Sequence, residues 1–278
     1  MPRDLLPIVR QALGDRYTIE REIGRGGAAV VFLATTTEGR HVALKVLRPE
    51  LAVTVAAQRF LQEIRFISRL NHPNIGGLID SGEKDWLIYY VMPYFEGPTL
   101  QQYLQKYRRL EIDDALRLGH DLLDILAHAH QNDIVHRDVK PDNIVLARGG
   151  AVLLDFGIAR AIALSGQTHL TRSGIAIGTS SYMSPEQITA LRELDHRSDL
   201  YSTGCVLFEA FSGRPPFAHP NEGVVLNRHL NDPVPDVSEL RPEVPAGAAR
   251  AIARAMAKAP EDRWPTARAM LAAFEARP

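Results

Sequence analysis

The sequence predicts an α+β fold in which the strands lie in the first third of the chain and helices form most of the remainder. Segments of alternating polar and apolar residues, typical of strands, recur between residues 17 and 92. After residue 98, apolar residues recur at helical spacing. A stretch at 93–97 that contains proline and glycine interrupts the pattern. A chain of 278 residues is long enough for two cores of ordinary domain size.

The composition is that of a globular protein, with 45% hydrophobic and 23% charged residues. The net charge of −1 predicts no general attraction to nucleic acid or to an anionic membrane. A single cysteine, Cys205, excludes a disulfide framework and fits a reducing cytoplasm. No apolar run approaches the roughly 20 residues that span a bilayer, and we expect no signal peptide.

In the first part of the chain, the pattern predicts a short helical segment within residues 1–15. Strands are predicted at 17–23, 41–47 and 86–92. In the strand at 41–47, Lys45 faces the same side as Ala43, towards a glycine-rich turn. A lysine on an inward face is costly unless it is paired. Residues 55–70 form an amphipathic pattern in which Glu63 is the only acid and borders the apolar stripe.

The second part begins with Thr99, which can cap a short helix, and Asp113, which can cap a long one. A nearly all-apolar helix follows Asp199 and belongs in a core. A further helix is predicted over residues 248–258.

Between two apolar runs lies the polar octet His-Arg-Asp-Val-Lys-Pro-Asp-Asn at 136–143. It offers a carboxylate that can accept a proton, a lysine that can hold a phosphate and an asparagine oxygen that can bind a hard cation. Asp155-Phe156-Gly157 follows a short apolar strand. Two carboxylates near one magnesium ion suit phosphoryl transfer.

These two motifs, in this order and spacing, resemble the catalytic core of bacterial eukaryotic-like (Hanks-type) serine/threonine protein kinases. The resemblance covers residues 17 to about 275. It implies a bilobal protein-kinase-like fold, with an N-terminal antiparallel sheet lobe that carries one main helix, the C helix. The implied bounds are an N-lobe at 1–92, a hinge at 93–97 and a larger, mostly helical C-lobe at 98–278, with ATP between the lobes.

The resemblance also implies the catalytic roles. Asp138 would orient the substrate hydroxyl and accept its proton, Lys140 would steady the γ-phosphate, and Lys45 paired with Glu63 would hold the α- and β-phosphates. Asn143 and Asp155 would bind Mg²⁺, with Mn²⁺ as an alternative. Structural support is assigned to His136, Arg137, Phe156, Thr179, Glu186, Asp199 and Arg263, with Glu186 paired to Arg263 and Asp199 holding the backbone of 136–137.

The family's glycine-rich loop corresponds to residues 24–31, where Ala29 replaces the third glycine. Backbone N–H groups in such a loop can approach phosphate oxygens closely. The resemblance assigns ATP binding to Ile23, Gly24, Arg25, Gly26, Gly27, Val31, Ala43, Lys45, Met92, Pro93, Phe95 and Val145. Pro93 would offer only its carbonyl to adenine, because proline has no N–H, and Phe95 would be the N–H donor.

The long polar segment from Asp155 to Glu186 matches the family's activation loop and ends in a peptide-docking motif. Thr171 and Ser173 are the predicted autophosphorylation sites, and Arg137 would pair with the phosphate. The predicted partners are protein substrates and the chain itself, with dimerisation for autophosphorylation in trans. The predicted location is the cytoplasm, either free or as the cytoplasmic domain of a membrane-anchored kinase.

Two other functions stay open at this point. A pseudokinase would keep the fold without transferring phosphate, but Lys45, Asp138 and Asp155 are all present. A small-molecule kinase of related fold would generally lack Lys140 at this spacing and the docking motif at 178–186, both of which this sequence has.

Overall fold

The computed structural model describes residues 4–26, 29–48, 70–84, 86–156, 179–189 and 194–276. Within these ranges the chain forms two compact units. The first contains one helix and a sheet. The second contains the remaining helices and a β-hairpin, together with residues 72–75. The predicted C helix at 55–70 and Gly27, Glu63, Thr171 and Ser173 lie outside the described residues, except for Leu70 at the end of that helix.

The first unit is a five-stranded antiparallel sheet in the order β1-β2-β3-β5-β4. Its elements are α1 (Leu6–Leu13), β1 (Tyr17–Arg25), β2 (Ala29–Thr36), β3 (His41–Leu47), β4 (Asp80–Lys84) and β5 (Leu87–Pro93). Side chains alternate between the two faces of each strand. One face of the sheet therefore packs on α1, and the other face points away from this helix.

The packing of α1 follows from its apolar spacing. Val9 and Leu13 lie one turn apart and are completely buried. They belong to the same apolar cluster as Phe32, Leu44 and Val91, which alternate onto one face of the sheet. Arg10 fixes the helix to the edge of the sheet by donating to the carbonyl oxygens of Ile19 at 2.9 Å and Glu20 at 2.7 Å.

The second unit is helical around a two-stranded hairpin. Its elements are α2 (Leu100–Tyr107), α3 (Ile112–Gln131), β6 (Ile144–Ala147), β7 (Gly150–Leu153), α4 (Pro185–Ile188), α5 (Arg197–Ser212), α6 (Glu222–Asn231), α7 (Val237–Leu240), α8 (Ala246–Ala255) and α9 (Ala267–Phe274). Residues 198–211 of α5 are all buried, as its nearly continuous apolar sequence predicts. Helix α5 therefore forms the core on which the other elements of this unit pack.

The α+β fold class predicted from the sequence is confirmed, because a five-stranded antiparallel sheet precedes a largely helical unit. Thr99 caps α2 as predicted, with its hydroxyl accepting the N–H of Gln102 at 3.1 Å. The predicted cap of α3 is wrong. The helix begins one residue before Asp113, its N-cap is Glu111, and no side chain caps it. Asp113 instead lies in the first turn, where a carboxylate interacts favourably with the helix dipole.

None of the described helices is both long and apolar enough to cross a membrane.

Candidate active site

The polar octet forms a loop between α3 and β6, and a buried carboxylate of α5 holds its backbone. Asp199 accepts the N–H of His136 at 2.8 Å on one oxygen and the N–H of Arg137 at 2.7 Å on the other. His130 Nε2 donates to the same carboxylate at 2.9 Å. Burial would raise the pKa of Asp199, but the hydrogen bond and charge of His130 and the Arg137 N–H outweigh it, so the pKa lies below its ordinary value.

The imidazole of His136 connects this loop to the segment that carries Asp155. Its Nδ1 accepts the N–H of Asp138 at 3.1 Å, and its Nε2 donates to the carbonyl of Leu154 at 2.8 Å. Because one partner is a donor and the other an acceptor, these bonds specify the neutral tautomer with the proton on Nε2. The ring meets Phe156 edge-on, with centroids 4.5 Å apart.

The carboxylate of Asp138 is held in one orientation by two neighbours in the loop. Lys140 Nζ lies 2.8 Å from one carboxylate oxygen and donates to the other at 3.0 Å. Asn143 Nδ2 donates to the carboxylate at 3.0 Å and to the backbone carbonyl of Asp138 at 2.8 Å. The Asp138 side chain is 21% exposed, so a hydroxyl from outside can still reach it.

Asn143 and Asp155 have the donor atoms that a hard cation requires. Both side-chain hydrogen bonds of Asn143 use Nδ2, and in the described part of the chain no N–H or O–H group donates to its Oδ1. Asp155 has a left-handed backbone with φ of 65°, which for a residue other than glycine costs on the order of 1–3 kcal/mol. Amide and carboxylate oxygens are ligands that Mg²⁺ accepts, so these residues fit the implied ion.

In the first unit, four of the predicted nucleotide residues share one face of the sheet. Val31 of β2 lies opposite Lys45 of β3, and Ala43 lies opposite Met92 of β5. Paired residues of antiparallel strands point to the same face, as do residues two apart in one strand. This face is the one opposite α1. Lys45 Nζ lies over the ring of Tyr90, 5.7 Å from its centroid.

The glycine-rich turn is described on both sides of the two residues 27–28. Gly24 and Arg25 end β1, after the half-buried Ile23, and the Gly26 N–H donates to the carbonyl of Ala29 at 2.9 Å. Ala29 begins β2, is 4% exposed and pairs with Leu47. Alanine in place of the family's third glycine is thus compatible with a closed turn between the two strands.

The remaining residues that the sequence predicts to bind ATP are divided between the two units. Pro93 ends β5 and is half-buried, like Phe95 two residues later. Val145 lies in β6, is 6% exposed and forms a β-bridge with Thr99.

The segment at 179–186, which the sequence predicts to dock peptides, is fixed to α5 by side chains. Only the backbone of Thr179 is described, and it begins a 3₁₀ helix, Thr179–Tyr182. The Tyr182 hydroxyl donates to Glu209, and the Ser202 hydroxyl donates to the carbonyl of Tyr182 at 2.7 Å. Burial raises the pKa of Glu209, and the hydrogen bond from Tyr182 opposes this only in part.

A buried ion pair holds the end of this segment. Arg263 donates to the two oxygens of Glu186 at 2.6 and 2.7 Å, a bidentate arrangement. Both side chains are almost completely buried.

Sequence analysis did not single out Glu209 or Gln187, which contact Tyr182 and Arg137 in the two predicted site segments. Glu209 gives a signal in the sequence, since an acid within a nearly all-apolar helix needs a partner. Gln187 stands three residues after Ser184, the spacing of a helix capping box. Neither signal identifies the distant partner that the structure reveals.

The family model described as the protein kinase domain matches residues 17–274. A probable serine/threonine-protein kinase of Streptomyces coelicolor is 40% identical over 272 residues, which is 95% of this chain and 40% of the relative. The serine/threonine-protein kinase PrkC of Bacillus subtilis is 38% identical over 95% of this chain and 40% of its own length. PknB of Mycobacterium leprae is 40% identical over 94% of this chain and 42% of its own length. The chain thus spans about two fifths of the length of these relatives.

Proposed function

The chain belongs to the protein kinase family, and from that premise we propose that it transfers the γ-phosphate of ATP to serine and threonine hydroxyls of proteins. The observation that carries the proposal is the Asp138 carboxylate, oriented by Lys140 and Asn143 in a loop anchored on Asp199. The serine/threonine class is supported by the similar proteins, which are named as serine/threonine-protein kinases.

In this proposal Asp138 orients the acceptor hydroxyl and takes its proton as the hydroxyl oxygen bonds to the γ-phosphorus and ADP leaves. A positioned proton acceptor of this kind typically contributes on the order of 10²–10⁴-fold. Lys140 lies beside Asp138 and neutralises negative charge on the transferred group. The contact of Lys140 Nζ with both oxygens of Asp138 supports this role, because it places the ammonium group beside the carboxylate that would orient the acceptor hydroxyl.

Asn143 and Asp155 would hold the metal ion, Mg²⁺ or Mn²⁺. When bound, the ion neutralises phosphate charge. The oxygen of Asn143 is available for this because its amide nitrogen is engaged with Asp138.

We further propose that the sheet face bearing Val31, Ala43, Lys45 and Met92 binds the nucleotide, with Lys45 on the α- and β-phosphates and paired to Glu63. The turn residues Gly24, Arg25, Gly26 and Gly27 would contribute backbone N–H groups, and Ile23, Pro93, Phe95 and Val145 would contact the adenosine. Wild-type turnover in a Lys45→Met variant would refute the assignment of Lys45. The bounds 1–92, 93–97 and 98–278 for the two lobes and hinge belong to the same proposal.

The regulatory part of the proposal concerns Thr171 and Ser173. We propose that the chain phosphorylates itself there, in trans within a dimer, and that Arg137 pairs with the added phosphate. We propose a cytoplasmic location for this activity, either as a free protein or as part of a membrane-anchored kinase.

The experiment that tests the function is incubation of the chain with ATP and magnesium in the presence of two peptide libraries, one with Ser/Thr and one with Tyr as the only acceptors. Mass spectrometry then maps phosphate on the peptides and on the chain. We expect phosphate on the Ser/Thr library and on Thr171, Ser173 or both, and none with an Asp155→Asn variant. ATP hydrolysis without peptide phosphorylation, or transfer to tyrosine alone, would refute the proposal. Transfer to the library without phosphate on Thr171 or Ser173 would refute only the regulatory part.

A further inference from the structure

The residue that precedes Asp138 has an unusual backbone that is held from both sides. Arg137 has φ of 68°, in the left-handed region that residues other than glycine rarely adopt. Its N–H donates to Asp199 at 2.7 Å. Its carbonyl accepts a hydrogen bond at 2.8 Å from Nε2 of Gln187, which lies 50 residues later in α4. The peptide bond that joins Arg137 to Asp138 is thus fixed at its oxygen by Gln187.

The amide of Gln187 has a second partner that fixes its orientation. Its Oε1 accepts the N–H of Ser184 at 3.0 Å, while the Ser184 hydroxyl accepts the N–H of Gln187. The Ser184 N–H can only donate and the Arg137 carbonyl can only accept. Only one assignment of the amide oxygen and nitrogen satisfies both partners. One half-buried side chain therefore connects the peptide-docking segment to the loop of Asp138.

We propose that Gln187 is a positioning residue that keeps the Asp138 carboxylate in register with the peptide-docking segment by holding the carbonyl of Arg137. Asp199 fixes the N–H groups of His136 and Arg137, and His136 Nδ1 accepts the N–H of Asp138 at 3.1 Å. Without the Gln187 donor, the Arg137–Asp138 peptide plane keeps only the contact of its N–H with His136 Nδ1. The plane can then tilt about that contact, and the strain at the φ of Arg137 favours such a change. A small rotation there moves the Asp138 carboxylate relative to the acceptor hydroxyl, and such misplacement is costly in rate.

This inference rests on the proposed role of Asp138. Gln187 contacts neither nucleotide nor acceptor in the proposal, so its loss should change kcat and leave the KM for ATP nearly unchanged. A residue that only stabilises the fold would instead change the amount of folded protein, with normal turnover in what remains.

The variant Gln187→Glu separates the hydrogen bond to the Arg137 carbonyl from the hydrogen bond with the Ser184 N–H. Its carboxylate still accepts the Ser184 N–H, so the helix cap survives, but it cannot donate to the Arg137 carbonyl while ionised. A matched control is Gln102→Glu. Gln102 occupies the same position of a capping box in α2 and accepts the Thr99 N–H at 2.9 Å. Its amide nitrogen has no partner among the residues that the structure describes.

The measurement is kcat and the KM for ATP with a Ser/Thr peptide, per folded molecule, with the folded fraction taken from thermal unfolding followed by circular dichroism. Gln187→Glu should lose at least about tenfold in kcat, on the scale of misplaced catalytic groups, with the KM for ATP within about twofold. Gln102→Glu should match wild type.

A parallel measurement on Asp138→Asn distinguishes failure of the positioning role of Gln187 from failure of the proposed role of Asp138. If Asp138→Asn is inactive while Gln187→Glu keeps a kcat within about twofold of wild type per folded molecule, the positioning role is refuted and the proposed function stands. If Asp138→Asn itself turns over like wild type, the role of Asp138 fails, and the inference fails with it.

Discussion

Arg263 is held by polar contacts to residues far from it in the chain, among them Glu186 and Arg197. Besides its two bonds to Glu186, it donates to the carbonyls of Ala257, Arg197 and Lys258 at 2.8–3.0 Å. All five N–H groups of the guanidinium are therefore used. Such a side chain can be buried at 1% exposure because no donor is left without an acceptor.

Breaking the ion pair between Glu186 and Arg263 should lower the free energy of unfolding substantially. Arg263→Met leaves the Glu186 carboxylate buried with no cation, which typically costs about 3–5 kcal/mol in free energy of unfolding. The double variant Glu186→Leu/Arg263→Met removes the uncompensated charge and should lose clearly less than the two single variants added together. Urea denaturation of the four proteins measures this. Losses that simply add would mean that the pair is not coupled.

At the residue scale, the sequence identifies groups whose chemistry is local and misses groups whose partners are distant. Asp138, Lys140 and Asn143 contact one another within five residues, so their motif contains the geometry. Gln187 and Glu209 act on residues 50 and 27 positions away. Nothing in their own surroundings in the chain encodes those partners.

At the scale of elements, α6 is joined to the core by groups whose charges respond to pH. His229 of α6 is completely buried and its Nδ1 lies 2.9 Å from the Tyr201 hydroxyl of α5. Lys258 donates to the carbonyls of Arg228 and His229 at the end of α6. Burial, and then the positive charge of Lys258, lower the pKa of His229 to about 4.

This lowered pKa predicts acid sensitivity. The unfolded chain binds a proton at His229 near pH 6.5, but the folded chain resists until about pH 4. Stability from this group is thus present above pH 6.5 and is lost as the pH falls towards 4, by up to about 3 kcal/mol. The free energy of unfolding from urea titrations at pH 7.5 and 4.5 should fall less in His229→Gln than in wild type.

The control for that comparison is His219→Gln, since His219 is exposed and near the same helix. It should keep the pH dependence of wild type. If His229→Gln and wild type lose the same free energy between the two pH values, His229 is not the responsible group.

Elements with a strong period of their own were predictable, and those that depend on neighbours were not. The strand predicted at 41–47 has the bounds of β3, whereas the one predicted at 86–92 is displaced by one residue in β5. β4 has the sequence Asp-Ser-Gly-Glu-Lys, without apolar alternation, and forms an edge strand through its pairing with β5. Its strand character is imposed by the sheet and not by its own residues.

At the scale of the whole molecule, each unit contributes a distinct part of the proposed chemistry. The sheet unit presents Val31, Ala43, Lys45 and Met92 on one face and covers the other with α1. The helical unit holds Asp138 and Asn143 in a loop fixed on its central helix. The two units largely follow one another in the chain, and each set of candidate residues lies in the segment that forms its unit. The sequence could therefore predict both the fold class and the candidate residues.

The central claim is that Asp138 accepts the proton of the hydroxyl to which phosphate is transferred, and its direct test is single-turnover phosphate transfer from Mg-ATP to a Ser/Thr peptide by Asp138→Asn. The carboxamide retains the size of the carboxylate but is not a base. The matched control is Asp142→Asn, an exposed residue of the same loop.

We expect Asp138→Asn to lose on the order of 10²–10⁴-fold in the transfer rate, with nucleotide affinity and thermal stability close to wild type, while Asp142→Asn transfers phosphate normally. A transfer rate for Asp138→Asn within a few-fold of wild type would contradict the account.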